Sequence, residues 1–261
     1  MNLSKYFERI NLSESIKLNE NGLRLLQNTQ ITQIPFENID CFLHRTIQLE
    51  PENLEKKIID NVRGGYCFEL NGLLGNVLRE LKFDARPLLG RVMYRNNGIN
   101  ARTHVVQLVT INGKEYLSDV GFGGPGYYSP LPFEIDREDV QPHGTFRITR
   151  DEVHGFLAQK KIEDGWLTLY AFNKEHVFPP DLILSNFYTS QYPESHFRHS
   201  LIMALHLPNG RYTLSNKTFT SVIDRQTTAT ELKSPEELIK ILGEKFKIKA
   251  DPGFQFERLF N

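Results

Sequence analysis

Residues 102–122 read RTHVVQLVTINGKEYLSDVGF, two apolar-alternating runs on either side of Asn112-Gly113. Alternation with period two marks strands with one buried face, and Asn-Gly between such runs signals a two-residue type I′ hairpin turn, because both residues tolerate positive φ. The turn sets Ile111 opposite Lys114 and so fixes the register. Carried outward, Asp119 faces Val106 and His104 faces Gly121. His104 and Asp119 then share one face of the sheet as diagonal neighbours, roughly 7 to 8 Å apart at Cβ, within reach of an imidazole–carboxylate hydrogen bond. Gly121 has no side chain to crowd the ring.

The period-two pattern extends on both sides of this hairpin. RPLLGRVMY (86–94), TFRITR (145–150), GFLAQKK (155–161) and GWLTLYAF (165–172) have the same character, with turn pairs Asn97-Gly98, Gly124-Pro125 and Asp164-Gly165 between runs. Six short runs at such spacing predict an antiparallel barrel or sandwich. Upstream the period is helical: Leu3, Tyr6, Phe7 and Ile10 share a face, a mixed apolar stretch runs from Leu23 to Ile34, and Pro35 breaks it. Pro51 opens a helix with Leu54, Ile58, Ile59 and Val62 on one stripe, for which Gly64-Gly65 is the expected stop. Another helix starts near Cys67 and carries Leu70, Leu73, Leu74, Val77, Leu78 and Leu81. Downstream, Pro179-Pro180 closes the strand-rich section. LIMALHLP (201–208) and GRYTLSN (210–216) read as strands, and Ser234-Pro235-Glu236-Glu237 is a capping box that opens a final helix. The expected organisation is an α+β chain of three units: a helical bundle over 1–83, a β unit over 84–187 and an α/β unit over 188–261.

Composition limits the function. The formal charge is −1 with 24% charged residues, so no excess of one sign draws the chain to nucleic acid or anionic lipid. MNLSKYFERI has no apolar signal core, and no run is long enough to span a bilayer; a cytoplasmic location is expected. Cys41 and Cys67 are too few for a disulfide framework, so both are read as free thiols.

Cys67 follows Gly64-Gly65-Tyr66 at a helix start, where the positive end of the dipole favours a thiolate, and Arg63 adds positive charge. A thiol there, a histidine, and an aspartate to orient it are the parts of a Cys-His-Asp triad. Each residue alone has a plainer reading: a cysteine on an apolar helix or a strand histidine is usually structural. Zinc is disfavoured because neither C-x-x-C nor H-E-x-x-H occurs. Gly121-Phe122-Gly123-Gly124-Pro125-Gly126 matches G-x-G-x-x-G after a strand, but Pro125 and Pro130 prevent the helix a dinucleotide site needs. The segment reads instead as a loop that admits substrate, with Phe122 as an apolar wall.

Taken together, Arg63-Gly64-Gly65-Tyr66-Cys67, Thr103-His104, Ser118-Asp119-Val120-Gly121-Phe122-Gly123 and Pro35-Phe36-Glu37-Asn38-Ile39 resemble the arylamine N-acetyltransferases across essentially the whole chain. His143-Gly144-Thr145-Phe146-Arg147, and Asn186-Phe187-Tyr188 through Pro193, Ser195 and Phe197, extend the likeness. The resemblance implies a helical first domain, a central antiparallel β-barrel and a C-terminal α/β lid. It implies acetyl-CoA as co-substrate, no metal, and ping-pong transfer through an acetyl-cysteine to an arylamine, arylhydrazine or hydrazide. Cys67 would be the nucleophile, His104 the base and Asp119 its orienter. Phe36, Phe122, Thr103 and Gly123 would line the substrate site, and Glu37 with Arg63 would form a structural ion pair. Backbone N–H groups at Cys67 and near Thr103 are the expected oxyanion donors. A cysteine hydrolase or amidase, a carrier-dependent amide synthase, and a binding module in which Cys67 is core are the alternatives.

Overall fold

The computed structural model describes residues 1–94 and 100–261; the Asn97-Gly98 turn signal lies outside the described residues. The first third is helical: α1 (Leu3–Arg9), α2 (Glu20–Gln33), α3 (Ile39–Phe42), α4 (Pro51–Leu54), which widens into a π-helical segment over Glu55–Asp60, and α5 (Cys67–Glu80). Asn2 and Asn19 cap the first two helices through their side chains. Helix α5 buries Leu70, Leu73, Leu74, Val77 and Leu78 as its spacing predicts. The helix before it does not stop at Gly64-Gly65. It ends at Asp60 with Asn61 as cap and Val62 at φ 51°, and the glycines serve a different purpose.

A two-residue strand β1 (Phe36–Glu37) interrupts the helices. The central strands are β2 (Asp84–Val92), β3 (His104–Ile111), β4 (Lys114–Ser118), β5 (Leu131–Pro132), β6 (Asp139–Gln141), β7 (Gly144–Asp151), β8 (Gly155–Ile162) and β9 (Gly165–Phe172). They form one antiparallel sheet in the order β5-β4-β3-β2-β9-β8-β7-β6. The sheet curls until its ends approach, with an Ile135–Ile148 bridge across the gap, so the barrel expectation is met. Leu88, Val106, Leu108, Leu117, Phe146, Ile148, Leu169 and Tyr170 fill its interior.

Pro179-Pro180 opens a helix rather than only ending the strands: α6 (Pro179–Gln191) follows, with proline at its first positions, then α7 (His196–His199). Strands β10 (Ile202–Leu207), β11 (Gly210–Ser215), β12 (Thr218–Ile223) and β13 (Gln226–Glu231) form the second sheet, followed by α8 (Pro235–Glu244) and α9 (Glu257–Phe260). Strand β1 completes this sheet from the other end of the chain, Phe36 opposite Ala204 and Glu37 opposite Met203. Ile39 and Phe42 of α3 accordingly sit in one apolar cluster with Leu201, Met203, Leu238 and Phe246. The first and last thirds are thus locked together beside the helix that carries Cys67.

Candidate active site

The β3–β4 hairpin has the expected turn: Asn112 and Gly113 both take positive φ, at 51° and 76°, and Ile111 pairs with Lys114. The ladder runs to Gln107–Ser118 and ends there, so the expected pairs of Asp119 with Val106 and His104 with Gly121 do not form. Side chains have taken the next backbone donors. Asp119 N–H donates to Gln27 Oε1 (3.2 Å), Val120 N–H to Asn71 Oδ1 (3.0 Å) and Gly121 N–H to Asp119 Oδ1 (2.8 Å). His104 instead pairs with Gly90 on the opposite neighbour, β2. The diagonal approach survives: His104 Nε2 lies 2.7 Å from Asp119 Oδ2, with both residues buried.

Cys67 occupies the first position of α5, 3% exposed, where a helix N–H has no intrahelical acceptor. Its Sγ donates to the Thr103 carbonyl at 3.5 Å and stands near enough to the His104 imidazole to favour that ring's protonated form. The structure therefore brings the three expected residues together on one imidazole. Burial by itself would depress the His104 pKa. The Asp119 carboxylate, its hydrogen bond and the neighbouring Cys67 outweigh burial and raise it to about 10. The Asp119 carboxylate thus favours a proton on the ring. Among the described residues Cys41 has no imidazole beside it, and burial pushes its thiol well up.

Two glycines explain how closely these pieces approach. A Cβ on Gly121 would lie 2.7 Å from Cys67 Cα, and one on Gly123, at φ 71°, would lie 2.7 Å from the Phe36 ring. Phe36, Phe122, Gly123, Tyr127, Asp119 and His206 line one narrow pocket, and the Phe122 ring stands edge-on to His104 at 5.5 Å. Thr103 contributes its carbonyl to the thiol. No helix follows the Gly121–Gly126 loop, which leads into β5.

The Pro35–Ile39 and Arg63–Cys67 motifs are partners. Glu37 N–H donates to the Gly65 carbonyl (2.9 Å), and a Cβ on Gly64 would lie 2.2 Å from the Pro35 oxygen. Arg63 donates through Nε and Nη2 to Glu37 Oε1 at 3.0 and 2.7 Å, and Glu37 Oε2 accepts the Ile39 N–H at 2.7 Å. Asn38 ties this segment to α7 and β10 by donating to the Phe197 and Ser200 carbonyls and accepting the Ile202 N–H. Glu69 accepts the Tyr66 N–H (3.1 Å) and Lys57 Nζ (2.6 Å), fixing the turn before Cys67. Burial pushes the Glu69 carboxyl up to about 7 against the pull of Lys57, with Asp40 and Glu37 adding to the rise.

Sequence reasoning missed several residues around the triad. Asn71 donates to Asp119 Oδ1 (2.8 Å) and the Val105 carbonyl (2.7 Å), and Gln27 takes the Ser118 hydroxyl. Tyr170 packs 4.8 Å from His104 and pairs with the Tyr127 hydroxyl at 2.7 Å. Asn71 had a signal, since it stands four residues after Cys67 on the same helical face. Gln27 and Tyr170 come from distant elements and had none.

A thiol at a helix start, acting on an imidazole that a buried carboxylate orients, defines a class: cysteine-dependent acyl-transfer proteins. The family model described as N-acetyltransferase matches residues 21–253. The arylamine N-acetyltransferase of Escherichia coli K12 is 36% identical over 98% of this chain and 93% of its own length. The arylamine N-acetyltransferase structure from Mycobacterium tuberculosis superposes with a TM-score of 0.94 at 32% identity over all of both chains. That of Mycobacterium marinum in complex with CoA gives 0.92 at 31% identity, over 99% of this chain and 97% of the other. The chain belongs to the arylamine N-acetyltransferase family. Among the described residues no cluster of His, Cys, Asp or Glu is placed to hold a metal, and no helix is long and apolar enough to cross a membrane.

Proposed function

We propose that this protein transfers an acetyl group from acetyl-CoA to the amino nitrogen of arylamines, arylhydrazines or hydrazides by a ping-pong route through Cys67. The Cys67 sulfur attacks the thioester carbonyl of acetyl-CoA, the bond from the acetyl carbon to the CoA sulfur breaks, and CoA leaves as a thiol with the proton held on His104. The acceptor amine then attacks acetyl-Cys67. The new N–C bond replaces the S–C bond, and the amine proton passes by way of His104 to the cysteine sulfur. Asp119 keeps Nε2 of the imidazole protonated and leaves Nδ1 facing the thiol. The Cys67 N–H, free at the helix start, is the proposed oxyanion donor.

The observation that carries this reading is the meeting of Cys67, His104 and Asp119 beside a pocket walled by Phe36, Phe122 and Gly123. The pocket is narrow, so an aromatic acceptor enters by displacing Phe122 and the glycine loop. Residues 188–261 are the proposed lid, on units bounded at 83 and 187, and the protein is placed in the cytoplasm without nucleic-acid or membrane partners. Initial rates test the function. Double-reciprocal plots against acetyl-CoA at several arylamine concentrations should be parallel, with CoA release dependent on the amine. Steady CoA release without any amine would make the protein a hydrolase, and transfer only from a carrier-bound acyl chain would make it an amide synthase.

A further inference from the structure

Helix α6 carries its polar and apolar faces in the reverse of the usual order for a surface helix. The side turned to the protein is polar, with Asn186, Thr189 and Ser190 as its buried residues. Asn186 accepts the Tyr66 hydroxyl and donates to the Ile47 carbonyl at 3.2 Å. The Thr189 and Ser190 hydroxyls donate to the Ser185 and Asn186 carbonyls at 2.7 and 2.8 Å. These bonds seat the helix on Tyr66, the residue before Cys67, and turn its other side to solvent.

The solvent side is apolar along its whole length. Ile183, Leu184, Phe187 and Tyr188 lie on successive turns of one stripe, which Phe178 extends at the N-terminal end and Tyr192 at the C-terminal end. All six are between 42 and 71% exposed, and the Tyr188 and Tyr192 rings stack at 4.9 Å. Together they leave roughly 700 Å² of large apolar side chain in water, beyond the roughly 300 to 600 Å² of the largest patch on a typical monomer.

Size and charge say what covers the face. Stable pairs of proteins bury about 800 Å² on each partner, so the stripe with its polar rim is the size of one side of a complete interface. Asp181 is the only charged residue between 177 and 193, and its carboxylate is bound to the Phe178 N–H at 2.8 Å. A face without lysine or arginine has nothing to hold an acidic partner or an anionic membrane. Its aromatic, charge-poor make-up is that of the apolar centre of a homodimer interface. A second copy brings a stripe of the same length and composition, and with a formal charge of −1 two copies repel one another little.

We propose that the outward face of α6 is the interface of a twofold-symmetric homodimer, in which Leu184 and Phe187 of each copy pack on the α6 of the other. The assignment is independent of the acetyl-transfer reading. It also covers from outside the helix that holds the Tyr66 hydroxyl.

Sedimentation equilibrium of the full chain tests it. At tens of micromolar, where an interface of this size is populated, the wild-type chain of 30.2 kDa should show about twice its own mass. Leu184→Glu and Phe187→Glu should each weaken the dimer by at least about thirtyfold, the effect of losing one central anchor. Both side chains are exposed, so the variants should keep the wild-type circular dichroism spectrum. Val153→Glu, on the equally exposed β7–β8 turn, should leave the mass doubled. The wild-type melting temperature should rise with protein concentration, and that of the two α6 variants should not. A wild type of single mass overturns the proposal, as does a dimer that survives both α6 substitutions. Co-sedimentation of single chains with phosphatidylcholine vesicles, lost in Phe187→Glu, would make the face a lipid contact instead and overturns it too.

Discussion

At the scale of single residues, Asp119 has the most constrained position in the site. One carboxylate oxygen is bound to His104, and the other accepts from Asn71 and the Gly121 N–H. In Asp119→Asn those two donors hold the amide oxygen, so the amide NH2 is turned to His104 and the imidazole must accept rather than donate. That is the wrong tautomer for activating a thiol, and acetyl transfer should fall by at least about a hundredfold. Burial would then be opposed by Cys67 alone, and the His104 titration should move down from about 10. In the wild type the raised pKa stabilises the fold fully below about pH 6.5, the unfolded value, and this contribution is lost as pH rises through about 10. NMR of the imidazole checks the shift; near-normal turnover in Asp119→Asn would remove Asp119 from the mechanism. Legibility at this scale was uneven. His104 and Asp119 could be paired because Asn112-Gly113 fixes a register, whereas Gln27 and Tyr170 reach the site from other elements and leave no local pattern.

At the scale of elements, the loop before Cys67 is held by charge rather than by apolar packing. Glu37 is fully buried and Arg63 nearly so, with Asp40, Lys57 and Glu69 around them. Removing one partner leaves a charge in the interior, so Arg63→Met should cost about 3 to 5 kcal/mol in urea unfolding, with Glu37→Gln added to it recovering part of the loss. A loss under about 1 kcal/mol would show that water reaches Glu37 and that the pair is incidental. The sequence placed α5 and the hairpin correctly but assigned Gly64-Gly65 to a helix stop. Gly65 lets the Glu69 side chain come within contact, and Gly64 does the same for the backbone of Pro35, a distant segment that leaves no periodic signal here.

At the scale of the whole molecule, the three-part architecture was legible because the hydrophobic period changes from helical to two and back. Missing were the strands that complete the second sheet. Strand β13 is exposed at every position, so it has no alternation, and its turn with β12 uses Asp224-Arg225 at positive φ instead of Asn-Gly. Strand β1 is two residues long and was hidden among helices. Through it the first third of the chain joins the last, and Phe36 comes to rest on Gly123 beside the triad. The proposed function makes one atom of this assembly, the Cys67 sulfur, the carrier of the acetyl group. The most direct test incubates the reduced protein with acetyl-CoA and weighs it intact. One acetyl group should be gained, mapped to Cys67, absent in Cys67→Ala, and discharged when an arylamine is added. An unchanged mass with the thiol shown to be reduced, or an acetyl group on any other residue, would contradict the account.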